Sequence, residues 1–152
     1  MEKTVLFSPL GGTDPISNDR DGSFIHICRI YRPDKVYLFM SKEICEFHNK
    51  DNRYIYCLEK LGEILDHKFE YELIMEPELA DVHDYNKFYS KFRKILGDIY
   101  AENMGAGDGA DRVRILLNTS SGTPAMKSAL HVIAEISEKK YLPVQVSTPE
   151  RR

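Results

Sequence analysis

Two short stretches hold most of the residue types that could bind or transform a small anion. The first is "NTSSGTP", Asn118 to Pro124, set between the apolar run "RILL" and a helical pattern beginning "PAMKSALHVIAEI". A helix N-terminus presents unpaired N–H groups and a partial positive charge, and Gly122 permits close backbone approach. Thr123 suits an N-cap and Pro124 the first helical position, so capping alone explains two residues of the seven. Asn118, Thr119, Ser120 and Ser121 are surplus to capping, and their hydroxyl and amide groups suit phosphate or ribose. The second stretch is "SPLGGTDPISN", where Gly11, Gly12, Thr13 and Asp14 follow an apolar run. Taken alone, it also reads as a turn, with glycine supplying a positive φ. It is not a P-loop, because no Gly-Lys-Ser/Thr follows, and the G-x-G-x-x-G dinucleotide fingerprint is absent there.

Other chemistries find less support. The run "GAGDGAD" (105–111) precedes a strand, which places it at the opposite edge of a sheet, and it reads as a flexible loop. The five histidines are scattered, "DVHD" (81–84) suits a helix start better than zinc, and no metal or cofactor is expected. No G-x-S-x-G elbow appears, and no base lies beside Ser121 or Thr123 in sequence. Cys28, Cys45 and Cys57 are odd in number and lack metal spacing, which fits a reducing cytoplasm.

The elements that must position these stretches alternate along the chain. Apolar runs at 3–8, 35–40, 68–75, 112–117 and 142–148 read as strands. Helical spacing joins Phe24, Ile27, Cys28 and Tyr31, then Tyr54, Leu58, Leu61 and Leu65. It recurs through Tyr85, Phe88, Tyr89, Phe92, Ile95, Leu96 and Ile99, and again from Pro124. Such alternation predicts an α/β fold: a Rossmann-like, doubly wound, mainly parallel sheet of five or six strands with helices on both faces. The first and fourth strands would lie side by side at the switch point, where such sheets bind ligands. Both small-residue loops then open onto one crevice.

At 152 residues, with no linker or repeat, the chain reads as a single domain, 1–152. Its net charge of −3, from 21 basic and 24 acidic residues, argues against a surface for long nucleic acid. The short apolar run in "MEKTVLFSPL" is a first strand rather than a signal peptide or membrane span, so no membrane partner and a cytoplasmic location are expected.

Taken together, "SPLGGTDPISN", "HICRIYRPDKVYLFMSKE", "LLNTSSGTPAM" and "VQVSTPERR" resemble the CARF domain, the CRISPR-associated Rossmann fold. The likeness is nearest to the N-terminal domain of the Csm-type ancillary ribonucleases of type III CRISPR systems. The resemblance implies a homodimer whose paired crevices bind one cyclic oligoadenylate ring, hexa-adenylate slightly before tetra-adenylate. It implies a C-terminal HEPN ribonuclease domain in the parent protein, controlled by that ring in antiviral defence. It places Gly11, Gly12, Thr13, Asp14 and Asn18 on the first ligand loop, and Asn118, Ser120, Ser121, Gly122 and Thr123 on the second. The HEPN domain is absent from this chain. Arg20-"DGSFI"-His26 matches the HEPN spacing formally, but it lies at the start of the first helix of the α/β domain and reads as accidental. Two other readings stand beside the sensor. One is a ring nuclease in which Thr123 and Ser121 act on a ring that is cut by its own 2′-hydroxyl. The other is a generic nucleotide-binding regulator.

Overall fold

The computed structural model describes residues 2–104 and 113–146. Five parallel strands form the main sheet: β1 (Lys3–Pro9), β4 (Lys35–Met40), β5 (Glu70–Met75), β6 (Val113–Asn118) and β7 (Tyr141–Val144). Their spatial order is β5-β4-β1-β6-β7. The chain moves outward from β1 in one direction through β4 and β5. It then returns to the other side of β1 for β6 and β7. This reversal is the switch point of a doubly wound sheet, and β1 and β6 are its neighbours, as the alternation predicts.

Side-chain alternation along β1 sends Leu6 to one face and Val5 and Phe7 to the other. On the Leu6 face pack α1 (Ser23–Tyr31), α2 (Lys42–Asp51) and α3 (Arg53–Leu65), through Phe24, Ile27, Ile44, Tyr54, Leu58 and Leu61. On the Phe7 face pack α4 (Tyr85–Met104) and α5 (Pro124–Ile136), through Phe88, Phe92, Leu96, Met126, Leu130 and Ile133. Both faces are covered, so the central strands are apolar almost throughout. Phe92 meets Phe7 and Phe39 edge-on, with ring centroids at 5.3 and 5.0 Å.

Two elements escape the sequence reading. The helix α2 has just two buried residues, Ile44 and Cys45, because it leans on the sheet by one narrow edge. Its sequence "KEICEFHNKD" therefore shows no stripe. Asn52, with φ at 53°, ends α2 and starts α3 in a single residue. The second omission is a two-stranded antiparallel ribbon, β2 (Ile16–Ser17) and β3 (Arg20–Asp21), turned by Asn18 and Asp19 at φ values of 53° and 61°. Two-residue strands carry no detectable alternation, although Asn and Asp are the residues that tolerate this turn. The predicted fifth strand, 142–148, runs over Tyr141–Val144, and residues 147–148 lie outside the described residues, as does the loop at 105–111. Among the described residues no helix is long and apolar enough to cross a membrane.

Candidate functional site

At the carboxyl ends of β1, β4 and β6 the loops frame a cleft of about 460 Å³. Its walls are Leu10 to Gly12 after β1, Ser41 to Ile44 at the start of α2, Leu79, Ala80 and Val82 before α4, and Gly122, Thr123 and Met126 at the start of α5. Two helix N-termini, those of α2 and α5, thus open on one space. The Lys42 N–H is given to the Leu79 carbonyl, Pro124 has none, and the Met126 N–H meets Thr123 Oγ1. The first-turn N–H groups left to the cleft are therefore those of Glu43 and Ile44 on α2 and Ala125 on α5, with the positive end of each helix dipole. Lys42, Glu43 and Glu46 are the charged side chains on the walls, while Leu10, Ile44, Leu79, Val82 and Met126 supply apolar surface.

Of the residues singled out in sequence, Gly11, Gly12, Gly122 and Thr123 line this cleft. Close packing accounts for two of the glycines. A Cβ on Gly11 would stand 2.9 Å from the Gly122 backbone nitrogen, so the two loops touch backbone to backbone. Gly122 has φ at +93°, in the region that favours glycine, and it lies over Met126. Thr123 caps α5: its Oγ1 accepts from the Met126 N–H at 3.4 Å and donates to the Val82 carbonyl at 2.6 Å. That second bond ties the α5 start to the segment before α4.

Asp14, Asn118 and Ser121 lie one layer behind the cleft, at 4%, 0% and 4% exposure. Asp14 Oδ2 accepts from the Gly11 N–H (2.9 Å) and the Ser121 hydroxyl (2.7 Å), and Oδ1 accepts from the Phe24 N–H (3.3 Å). Asn118 Nδ2 donates to Ser8 Oγ (3.0 Å) and Ser23 Oγ (3.1 Å), while its Oδ1 accepts from the Ser120 N–H (2.8 Å). Ser23 and Ser121 join these two groups through a hydroxyl–hydroxyl contact. Burial pushes the Asp14 carboxyl above its usual range, against the opposing pull of Gly11, Ser121, Phe24 and the Lys127 charge.

The remaining hydroxyls act as tethers. The Thr119 side chain and N–H both donate to the Val144 carbonyl at 3.0 Å, and Ser120 Oγ accepts from the Val146 N–H at 2.9 Å. The surplus of small polar residues in "NTSSGTP" is therefore engaged within the chain, holding β6, β7 and the first loop in register. Thr13 and Asn18 are exposed on the first loop and stand outside the cleft walls. Sequence reasoning missed Ser41, Lys42 and the Leu79–Val82 segment. The available signal was Ser41 standing directly after the apolar strand "KVYLFM", which is where a βα loop places its N-cap.

Comparison with known proteins gives the site its context. Residues 70–152, over half of the chain, match the family model described as the Cas_Csm6 CARF domain. The CRISPR system endoribonuclease Csm6 of Mycobacterium tuberculosis is 42% identical over 97% of this chain and 32% of its own length. The Csm6′ protein of Streptococcus thermophilus is 35% identical over 96% of the chain and 34% of its own length. The chain thus spans about a third of the length of the curated relatives it matches. Among solved structures, Enterococcus italicus Csm6 bound to cyclic hexa-2′-fluoro-hexa-dAMP superposes with a TM-score of 0.78 at 28% identity, over 97% of this chain and 34% of that one. A doubly wound sheet with its cleft at the switch point and a family match over more than half its length agree: this chain belongs to the Cas_Csm6 CARF domain family.

Proposed function

We propose that this chain is a sensor for cyclic oligoadenylate, part of a type III CRISPR endoribonuclease whose catalytic HEPN domain lies outside it. The observation that carries the reading is the fold neighbour, a Csm6 protein holding a cyclic hexa-adenylate analogue, together with a cleft built from two helix N-termini at the switch point. Such a cleft suits phosphates, which meet N–H groups without a large side chain in the way. Its apolar walls suit the faces of purine bases. A ring with two-fold symmetry is best held by an isologous pair of chains, each offering the same cleft. In this reading Gly11, Gly12, Gly122 and Thr123 contact the ring, and Thr13 and Asn18 approach it from the first loop. Asn118, Ser120 and Ser121 hold the contacting loops in place. Activation requires that the ring favour one arrangement of the paired chains over another, since only that difference in affinity drives a switch.

Calorimetric titration with cyclic hexa-adenylate, cyclic tetra-adenylate and AMP tests this. The expected result is tight binding of the hexa-adenylate ring at one ring per two chains. Preference for AMP over both rings would replace the sensor with a general nucleotide-binding regulator.

A second reading, slow ring cleavage, draws on the two helix N-termini, which would stabilise charge building on a phosphate under attack by the ring's own 2′-hydroxyl. The Thr123 and Ser121 hydroxyls give their single protons to the Val82 carbonyl and to Asp14, so their part would be to hold the α5 start that faces the phosphate rather than to attack or donate to it. Linear adenylate accumulating over hours with excess protein, and lost in Thr123→Ala, is the expected sign. A ring recovered intact ends this reading.

A further inference from the structure

The hydrogen bonds behind the cleft have a direction. Ser121 has one hydroxyl proton and gives it to Asp14 Oδ2, so in the Ser23–Ser121 contact Ser23 is the donor. Ser23, having given its proton to Ser121, accepts from Asn118. The order is therefore Asn118 to Ser23 to Ser121 to Asp14, every donor used, ending on a carboxylate that also takes the N–H groups of Gly11 and Phe24. Three separate segments meet on that one group: the loop after β1, the start of α1 and the turn before α5. The packing around it leaves no slack. A Cβ on Gly22 would stand 2.6 Å from Asp14 Oδ1, and one on Gly11 would stand 2.9 Å from the Gly122 nitrogen.

We propose that Asp14 is a positioning residue for the cleft: without touching the ring, its carboxylate holds the Gly11–Thr13 loop against the Gly122–Thr123 turn in the spacing that binds the ring. The inference rests on the sensor reading and adds to it a residue that acts from behind the site. A proton on Oδ2 would meet the Ser121 hydroxyl head-on and force the Ser121–Ser23 order to reverse, leaving the Ser23 proton without its acceptor. A proton on Oδ1 would face the Phe24 N–H. In the first case the loops stay joined by a weaker, neutral bond and a stranded Ser23 proton, and in the second the start of α1 loses its acceptor.

The groups that act electrostatically with Asp14 come from each element packed against it: Lys127 on α5, Cys28 on α1 and Tyr54 on α3. Burial raises the Cys28 thiol well above its usual range and pushes Tyr54 up to about 12, so both are neutral in acid, and Lys127 is the charge that favours the carboxylate. Because the Asp14 carboxyl is raised, the folded chain holds this proton more tightly than the unfolded chain does. Its contribution to stability is complete below the ordinary carboxylate value of 3.8 and is lost as pH rises through the raised value. Ring affinity must run the other way, growing as the carboxylate forms. A residue with a merely structural role would not give stability and affinity opposite slopes over one pH window.

The test compares the chain with Asp14→Asn, which keeps the shape and removes the titration. Cyclic hexa-adenylate is titrated from neutral pH downward, as far as circular dichroism shows both proteins folded. Titration of the adenines themselves appears in both profiles and cancels in their difference. The expected result is binding about tenfold weaker in Asp14→Asn at neutral pH, since a buried donor loses its acceptor, with the difference shrinking as pH falls. Equal affinity at neutral pH, or a difference that does not change with pH, overturns the proposal. Should Asp14→Asn fail to fold, Ser121→Ala cuts the same link between the loops, and unchanged ring affinity there overturns it equally. Amide hydrogen exchange at Gly11 and Phe24, whose N–H groups Asp14 accepts, reads the tie without any ligand: faster exchange in the variant supports it, and unchanged rates overturn it. Failure of the unaltered chain to bind any ring overturns the sensor reading instead, and the exchange rates then decide the tie.

Discussion

At the scale of single residues, two adjacent glycines separate packing from ligand contact. A Cβ on Gly11 would press on the Gly122 nitrogen, whereas one on Gly12 meets nothing within 4 Å. Gly11→Ala is expected to destabilise the fold by roughly 1–3 kcal/mol, the usual cost of forcing a group into tight packing. Gly12→Ala should stay within about 0.5 kcal/mol, as an unobstructed surface change does. Urea unfolding checks both, and ring titration of Gly12→Ala then reads steric access to the cleft on an unaltered fold. Thr123 has two structural roles, the α5 cap and the bond to Val82. Its replacement by alanine should cost about 1 kcal/mol for the cap alone, read as a lowered midpoint of thermal unfolding. These roles could not be seen in sequence. "NTSSGTP" marks a loop of unusual composition, but which hydroxyl faces the cleft and which faces Val144 depends on chain segments more than twenty residues away.

At the scale of elements, α4 is held at both ends of its buried stripe. Phe88, Phe92, Leu96 and Ile99 fall at helical spacing and are buried against β1, β4 and β6. Phe92→Ala is expected to cost about 3–5 kcal/mol, because its neighbours Phe7 and Phe39 cannot collapse into the space without moving central strands. The last turns of α4 are fastened differently. Tyr37 on β4 donates to Glu102 Oε2 at 2.9 Å and accepts from Asn103 at 2.9 Å, and Lys35 lies 3.2 Å from Glu102. The hydrogen bond from Tyr37 holds the Glu102 carboxyl below its usual range, and Lys35 adds to that. A lowered carboxyl contributes stability above its ordinary value and loses it as pH falls through the lowered one. Tyr37→Phe should therefore flatten the acid end of the stability profile, besides costing about 0.5–1.5 kcal/mol for the lost bond. Denaturant midpoints measured from neutral to acid pH check both effects.

At the scale of the whole molecule, net charge and cleft chemistry pull in different directions. The chain carries −3, and the cleft walls carry Lys42 against Glu43 and Glu46. Attraction for an anionic ring must then come from N–H groups and helix dipoles, which are fixed and short in range. Ring affinity is expected to fall less than about tenfold when salt rises from low to physiological strength, far short of the thousandfold losses of proteins that hold phosphates with lysine and arginine. Titration at two salt concentrations decides this, and a steep slope would point to basic contacts beyond the cleft walls.

The class of fold was legible from the residues alone, because strand and helix periodicities are local properties and a parallel sheet needs its crossovers. So was the pairing of β1 with β6, since right-handed connections leave few other orders, and with it the meeting of the two glycine-bearing loops. The residues did not reveal α2, whose contact with the core is too narrow to leave a stripe, although α2 supplies one of the two helix N-termini of the cleft. Nor did they tell lining from support: Gly11, Gly12, Gly122 and Thr123 face the cleft, whereas Asp14, Asn118 and Ser121 are buried behind it. That division rests on hydrogen bonds that join residues about a hundred positions apart, such as Ser121 with Asp14 and Asn118 with Ser8, and only the tertiary structure brings those partners together.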